Sequence, residues 1–584
     1  MPVTVGAWRR RALLALAVAF SGGVYLNALH NPFVYDDHRT IVDNGSIHSL
    51  SDMRSIVLHD ATRPLVNLSY AIDRTVWGPA PIGFHVTSIV LHMLNVALLV
   101  AIAWRLGEDR ARISDVRLQT SDSCGAAFLA ATLFAVHPLM TEAVAYISGR
   151  SEVLCGTFFL LAFLAARRWM RTGAAGWWLL TMGLWVGALL TKEIAVMLPV
   201  VLLSYDRMLA DEDAIPRRRR FWRLHAPLLA ATVAAGVARL AVFVVLERHG
   251  AVAIDWRGIF DEAGVIWRYI ALFFVPSGQT IFHDVRPIAR VLELRGLVAA
   301  GAIAIVASVA WRARRAAPIA SFGVIWFFLL LIPSSLIVVL DQGEGMAEHR
   351  VYLASCGLFL AAGSVGGAWL ERLGRASVLL RSLTRAAVAV AILSLGARTV
   401  LRNAVWSDPV GLWREAADRA PESVLPRTVL GETLHDAGRH AEAVEAYRTA
   451  LRLRPDEPLG YLKLGICLAE TGRLDEARET FEQLRARQPT STIVSTGLGA
   501  VAMIAGQPDT ARPYFEATLA RDPRDVMARQ WLAVLEEEAA GNPHAALRRC
   551  EEIQELAPGK LSNEDCIRRN KARVAAVGAA AQQR

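Results

Sequence analysis

Six short polar segments interrupt a largely apolar chain, and each carries side chains that can move protons or hold an anion. They are YDDHR (35–39), RPL (63–65), HPLMTEAVAYISGRSE (137–152), TKE (191–193), FHDVR (282–286) and EGMAEHR (344–350). Carboxylates and imidazoles can take a proton and return it, while Arg and Lys hold anions as a planar fork and a point charge. Asp36 and Asp37 stand apart from the rest, because adjacent carboxylates repel and a plain loop has no need of them. On an extended chain neighbouring side chains point in different directions, so one of the two faces a reacting group and the other shapes the loop.

These segments are set between elements that read as membrane spans. The chain has 584 residues, 54% hydrophobic and 20% charged, too apolar overall for a soluble protein. Apolar runs lie near 11–29, 84–104, 124–137, 150–168, 176–191, 193–207, 224–246, 291–311, 317–340, 351–371 and 383–401. Several are short of the roughly 20 residues that a simple span needs. Basic clusters at Arg9 to Arg11, Arg105/Arg110/Arg112, Arg167/Arg168/Arg171, Arg217 to Arg220, Arg312/Arg314/Arg315 and Arg372/Arg375/Arg381 mark the cytoplasmic side. About eleven spans satisfy all of them if a twelfth apolar stretch, 262–276 with Arg268 inside it, is re-entrant or interfacial. The N-terminus is then inside, the C-terminal region outside, and all six polar segments emerge at the extracytoplasmic face. Ionisable groups near membrane depth are costly and point to a substrate path or site. The first run reads as a cleaved signal peptide or a signal-anchor, and the many spans behind it suit an anchor.

Past residue 405 no run is long enough to cross a bilayer, and the sequence repeats with a period of 34. Gly431, Gly465 and Gly499 keep that spacing, as do Gly438, Gly472 and Gly506; Ala443, Ala477 and Ala511; Tyr447, Phe481 and Phe515; and Pro455, Pro489 and Pro523. Small residues let two antiparallel helices approach, the aromatic fills the gap, and Pro stops the second helix, which is the tetratricopeptide pattern. Residues 410–423, with Trp413 and Pro421, fit the second helix of a preceding half-repeat, and a degenerate unit follows 530. The expected division is a membrane domain over 1–404, a repeat domain over 405–560 and a disordered Ala/Gln tail over 561–584. The fold class is therefore all-α, a polytopic helical membrane domain followed by an α-solenoid.

The net charge of +9 sits in the inter-span Arg clusters and is no nucleic-acid signal. No P-loop and no Gly-rich strand–turn is present. Cys124, Cys155 and Cys356 fall in apolar runs, no Cys/His spacing suggests zinc, and Cys550 with Cys566 forms a disulfide if that region lies outside the cytoplasm.

Six stretches in order, FVYDDHRTIVDN, RPLVNLSYAIDRTVWGPAPIGFHVTSIVLHMLNVALL, LFAVHPLMTEAVAYISGRSEVLCGTFFLLAF, TKEIAVMLPVVLLSYD, RYIALFFVPSGQTIFHD and AEHRVYLASCGLFL, resemble the transmembrane and tetratricopeptide-repeat family of GT-C-type protein O-mannosyltransferases, this chain as a bacterial relative. The resemblance runs from about residue 11 to 540. It implies an inverting transfer of a mannose-like sugar from a polyprenyl-phosphate donor to a protein or glycan acceptor at the extracytoplasmic face of the cytoplasmic membrane, with the acceptor reached through the repeat groove. Such a transfer needs a base for the acceptor hydroxyl and cations for the departing lipid phosphate. The resemblance places the base at Asp36 or Asp37 without separating them. On the phosphate side it offers Arg150, Lys192, His349 and Arg350, with Glu142 and Glu193 neutralising Arg150 and Lys192. Arg63 would pair with Asp36 or Asp37 and hold it ionised. His137, His283, Asp284 and Glu348 complete the substrate-binding set. The plainer alternatives are headgroup snorkelling for Lys192 and Arg350 and helix-end packing for His137. No metal or other cofactor is expected, since two carboxylates alone make a weak magnesium site. Two other classes compete. A non-catalytic anchor for an envelope scaffold would need only one span. A transporter would carry charges near the midplane and on both sides, where Arg239 is the main exception.

Overall fold

The computed structural model describes residues 2–113, 120–210, 215–242, 258–285, 293–339, 345–538, 542–556 and 561–582. It is all-α, with no extended strand among the described residues. The chain divides into two compact units, one of residues 1–33 and 60–407, the other of residues 34–59 and 408–584.

In the first unit eight described helices are long and apolar enough to cross a membrane, or nine if a bent pair counts as one span. The expected number was about eleven. The difference lies mainly at 176–191 and 193–207, which form Ala175–Leu189 and Leu198–Met208, each too short to span alone. The bent pair is Gly125–Val136 with Pro138–Ala145, which turn by 55° at His137. The stretch 262–276 lies in a helix, Gly258–Phe274, that falls short of a span. Arg239 has a side chain outside the described residues.

Packing follows the small residues. Helices Pro318–Val339 and Tyr352–Ala376 cross where Gly323 meets Gly357, and a Cβ on Gly357 would lie 2.3 Å from the Gly323 carbonyl oxygen. This is how spans associate when lipid removes the hydrophobic drive between them. Around the crossing, Phe159, Phe163, Phe322, Trp326 and Tyr205 form one buried aromatic cluster with edge-to-face contacts. Two of the basic clusters are more than topology signals. Arg167 forks onto Asp109 at 2.6 and 2.7 Å, Tyr205 donates to the same carboxylate at 2.7 Å, and the fully buried Arg220 lies 3.0 Å from Asp206. Buried charges need such partners, and these bind neighbouring helices together.

The second unit contains the repeats. Paired helices run Val424–Asp436/His440–Leu453, Pro458–Glu470/Leu474–Arg487, Thr492–Ile504/Pro508–Arg521 and Val526–Glu538/Pro543–Leu556, preceded by Pro409–Arg419 with its buried Trp413. The period is physical. A Cβ on Gly431, Gly465 or Gly499 would strike the ring of Tyr447, Phe481 or Phe515 at 2.6, 2.4 and 2.6 Å. Gly438, Gly472 and Gly506 turn the chain at φ +72°, +78° and +69°, where a side chain is disfavoured. The expected disordered tail is instead a helix, Leu561–Gln582. It packs on the array through the buried Asn570 and ion pairs from Arg569 and Arg573 to Glu537, and Cys566 is joined to Cys550.

Candidate active site

His137 sets the local geometry from which the site is built. Its Nδ1 accepts the Leu139 N–H at 3.2 Å and its Nε2 lies 2.9 Å from the Phe273 carbonyl, so it is Nε2 that carries the proton. The ring also stacks on Phe273. His137 is thus the cap and pivot of the bent span, rather than a substrate ligand, and it aims the short helix Thr141–Ala145.

Glu142 on that helix is buried and meets the turn Glu348–Val351. One of its oxygens accepts the Glu348 N–H at 2.9 Å; the other lies 2.5 Å from His349 Nδ1. A carboxylate at the start of a helix both caps an orphan N–H and sits at the positive end of the dipole. Glu348 in turn accepts from Thr280 N–H at 3.1 Å, Gln279 Nε2 at 2.6 Å and His283 Nε2 at 3.0 Å. The charge of Arg402, from helix Val378–Val405, acts on both carboxylates. The result is a carboxylate–imidazole pair, Glu142 with His349, whose Nδ1–H faces the acid and whose Nε2 faces away, beside a second, fully satisfied carboxylate.

A set of charges surrounds His349. Those of Lys192, Glu152, Arg350 and Arg63 all act on its ring. Arg63 lies 3.4 Å from Glu193, both side chains more than a third exposed. Burial would lower the Arg63 pKa, but the charges of Glu193, Asp60 and Glu152 hold it above its ordinary value. Lys192 Nζ lies 2.8 Å from Glu152. The structure therefore brings Arg63, Glu142, Lys192, Glu193, His283, Glu348, His349 and Arg350 into one neighbourhood, with pairings other than those expected from sequence. Glu142 serves His349 rather than Arg150, Glu193 serves Arg63, and Glu152 serves Lys192.

Arg150 stands outside that group. It is fully buried, 2.6 Å from Asp73, and donates to Ser88 Oγ, Ser69 Oγ and the Phe84 carbonyl at 3.2, 3.3 and 2.6 Å. Its guanidinium also lies over the rings of Tyr70 and Phe84. It clamps helices Pro64–Trp77, Pro81–Ile113 and Arg150–Thr172 to one another, its guanidinium wholly enclosed by protein partners. Burial pushes the Asp73 carboxyl up, against the Arg150 charge and the Thr87 hydroxyl. Asp284 gives its backbone carbonyl to Arg268 at 2.9 Å. The sequence reading missed Asp73, Glu152, Gln279 and Arg402. Arg402 had a signal, a base just past the last apolar run at the face opposite the basic clusters.

Asp36 and Asp37 belong to the second unit, within residues 34–59. Here the structure separates them. Asp37 is 1% exposed, and its Oδ2 accepts the Val34 N–H at 3.1 Å, closing the turn from inside. Asp36 is 44% exposed at the side chain, 3.9 Å from Arg39. Tyr35 before them has φ +53°, the one non-glycine at positive φ among the described residues, and its ring packs edge-on against Trp413. Backbone held in that region costs roughly 1–3 kcal/mol and marks a shape that its surroundings enforce.

The two units together define a multi-span membrane protein carrying a tetratricopeptide array. The family model for the tetratricopeptide repeat matches residues 411–492 and 497–560. The chain is similar to the transmembrane and tetratricopeptide-repeat protein O-mannosyl-transferases, at modest identity over much of its length. It is 24% identical to Protein O-mannosyl-transferase TMTC1 of Homo sapiens over 514 residues, which cover 75% of this chain and 54% of that protein. A Protein O-mannosyl-transferase of Caenorhabditis elegans is 26% identical over 466 residues, 75% of this chain and 62% of its own. Tmtc1 of Drosophila melanogaster is 32% identical over 196 residues, 31% of this chain and 21% of that protein. The chain thus spans between about a fifth and three fifths of the length of these relatives. Among solved structures, a thermophilic tetratricopeptide-repeat protein of Thermus thermophilus overlaps 33% of this chain and 96% of its own, at 20% identity and a TM-score of 0.25.

Proposed function

We propose that the protein is a membrane glycosyltransferase that moves a mannose-like sugar from a polyprenyl-phosphate donor to a protein or glycan hydroxyl at the extracytoplasmic face, with inversion. The acceptor oxygen attacks the anomeric carbon, the bond from that carbon to the phosphate oxygen breaks, and polyprenyl phosphate leaves with the electron pair. The acceptor proton passes to Asp36. Arg63, Lys192 and Arg350 offset the charge that grows on the leaving phosphate. The observation that carries the reading is the convergence of cations and a carboxylate–imidazole pair, from segments far apart in sequence, around His349. The similarity to named protein O-mannosyl-transferases supports the sugar. Asp36 is preferred to Asp37 because Asp37 spends its carboxylate on the Val34 N–H.

A second reading of the base has its own support. His349, oriented by Glu142, has the geometry of an imidazole base held by a carboxylate. Transfer from a labelled polyprenyl-phosphate mannose separates the two. Asp36→Asn should lower turnover by about 10²-fold or more, with Asp37→Asn failing in folding rather than in chemistry. Near-normal transfer by Asp36→Asn together with loss in His349→Ala would move the base to His349. No transfer by the wild-type chain with this donor and with polyprenyl-phosphate glucose would leave a non-catalytic envelope scaffold.

A further inference from the structure

The repeat array holds a group of side chains that its own pattern does not call for. His435 lies near the end of helix Val424–Asp436, His440 opens helix His440–Leu453, and Cys467 and Glu470 lie three residues apart in helix Pro458–Glu470. Moving each by one 34-residue period gives Ala469 for His435, Leu474 for His440 and Thr433 for Cys467. The equivalent positions one period away hold an alanine, a leucine and a threonine, where these two successive repeats carry two imidazoles and a thiol. A solenoid core explains Gly431, Ala443 and Tyr447; it does not explain these.

Geometry brings them together. The turn at Gly438, with φ +72°, folds the chain so that the two imidazole rings stand 5.0 Å apart at 71°. One ligand atom from each of His435, His440 and Cys467 lies within 4.8 Å of the others. Nδ1 of His440 is buried and has no hydrogen-bond partner, a cost in free energy that an ion would remove. Nε2 of His435 is hydrogen-bonded to Glu470, the carboxylate-on-histidine arrangement that fixes the ring of a metal ligand. Cys467 is buried, with Sγ 3.8 Å from the His440 carbonyl.

We infer that His435, His440 and Cys467 form a transition-metal site, of the class that takes zinc, linking two successive repeats. Two imidazoles and a thiolate are the borderline-soft donors this ion prefers, and three protein ligands leave a fourth position for water or a partner's side chain. Bond lengths of about 2.0 Å to nitrogen and 2.3 Å to sulfur would draw the ligand atoms to roughly 3.5 Å from one another. Rotation of the two histidine side chains supplies that contraction. The thiol proton leaves to solvent on binding. The ion would tie the turn of one repeat to the first helix of the next, beside the Lys463–Glu432 and Arg448–Glu476 ion pairs that already cross between them.

Cobalt(II) tests this with an optical signal. The full-length chain in detergent, stripped with a chelator and dialysed, should bind one equivalent of Co²⁺ with a sulfur-to-cobalt charge-transfer band that Zn²⁺ abolishes. Cys467→Thr and His440→Leu import residues that the adjacent repeats already tolerate, so both should fold. Cys467→Thr should lose the charge-transfer band, and each variant should weaken Zn²⁺ binding at least 10-fold in competition with a colorimetric chelator. Absence of the band in the stripped wild-type chain would overturn the site, and so would its persistence in Cys467→Thr. Circular dichroism of each variant, matched to wild type, separates loss of a ligand from loss of fold.

Discussion

Replacing Arg150 by Met tests whether this arginine is a clamp or a ligand for phosphate. Both partners in the Arg150–Asp73 pair are almost wholly buried, at 0% and 3% side-chain exposure, 2.6 Å apart. Removing the guanidinium leaves Asp73 with the Thr87 hydroxyl at 2.6 Å as its remaining close donor. A buried charge stripped of its counter-ion costs about 3–5 kcal/mol, a factor of roughly 10² to 10³ or more in the folding equilibrium. Protonation of Asp73 limits the damage. Burial already pushes that carboxyl up, and without Arg150 it rises further. A carboxyl raised in the folded state destabilises as pH climbs past its unfolded value of about 4, so the deficit of Arg150→Met should widen from pH 5 to pH 8. Adding Asp73→Asn should recover about half of the loss, a coupling of roughly 2 kcal/mol. The assay is denaturation of the detergent-solubilised chain by sodium dodecyl sulfate in mixed micelles, followed by tryptophan fluorescence at both pH values. Wild-type stability in Arg150→Met, with additive single variants and selective loss of donor-lipid binding, would refute the clamp and restore the phosphate role.

Four further outcomes follow from the same structure. Gly357→Val sets a Cβ against the Gly323 carbonyl and Trp326 and should cost about 2–3 kcal/mol in the same denaturation assay, whereas a substitution at Gly183, which has open space around it, should be silent. Gly472→Ala forces a side chain to φ +78° and should lower repeat stability by about 1–2 kcal/mol, read as earlier loss of helical signal on heating. Opening the Cys550–Cys566 link by Cys566→Ser should cost about 3 kcal/mol and raise protease cleavage in helix Leu561–Gln582. Alkaline phosphatase fused after residue 407 should be active, and an inactive fusion there with an active one at the N-terminus would reverse the proposed orientation.

The repeat array was legible because one period fixes five positions at once, each with its own steric reason. Gly431 must yield to Tyr447 and Gly438 must turn at positive φ, and these demands recur every 34 residues in sequence as they do in space. The membrane unit offers no such recurrence. The polar segments were visible, but their pairings were not, because Asp73 and Arg150, or Glu142 and His349, lie in different segments of the chain that only the packing of spans makes neighbours. Sequence proximity suggested that Glu142 would serve Arg150; the bend at His137 turns it toward His349 instead. The same limit hid the His435, His440 and Cys467 group, since its members straddle two repeats and match no standard ligand spacing. The aspartate pair shows the boundary most sharply. Residue type alone makes Asp36 and Asp37 equivalent. A single backbone constraint, Tyr35 held at φ +53° against Trp413, lets the turn take one carboxylate inward as a cap and leave the other facing out. Strain of that kind persists where the surrounding structure over-determines it, and here the Trp413 ring and the Asp37 cap on Val34 N–H supply that surround.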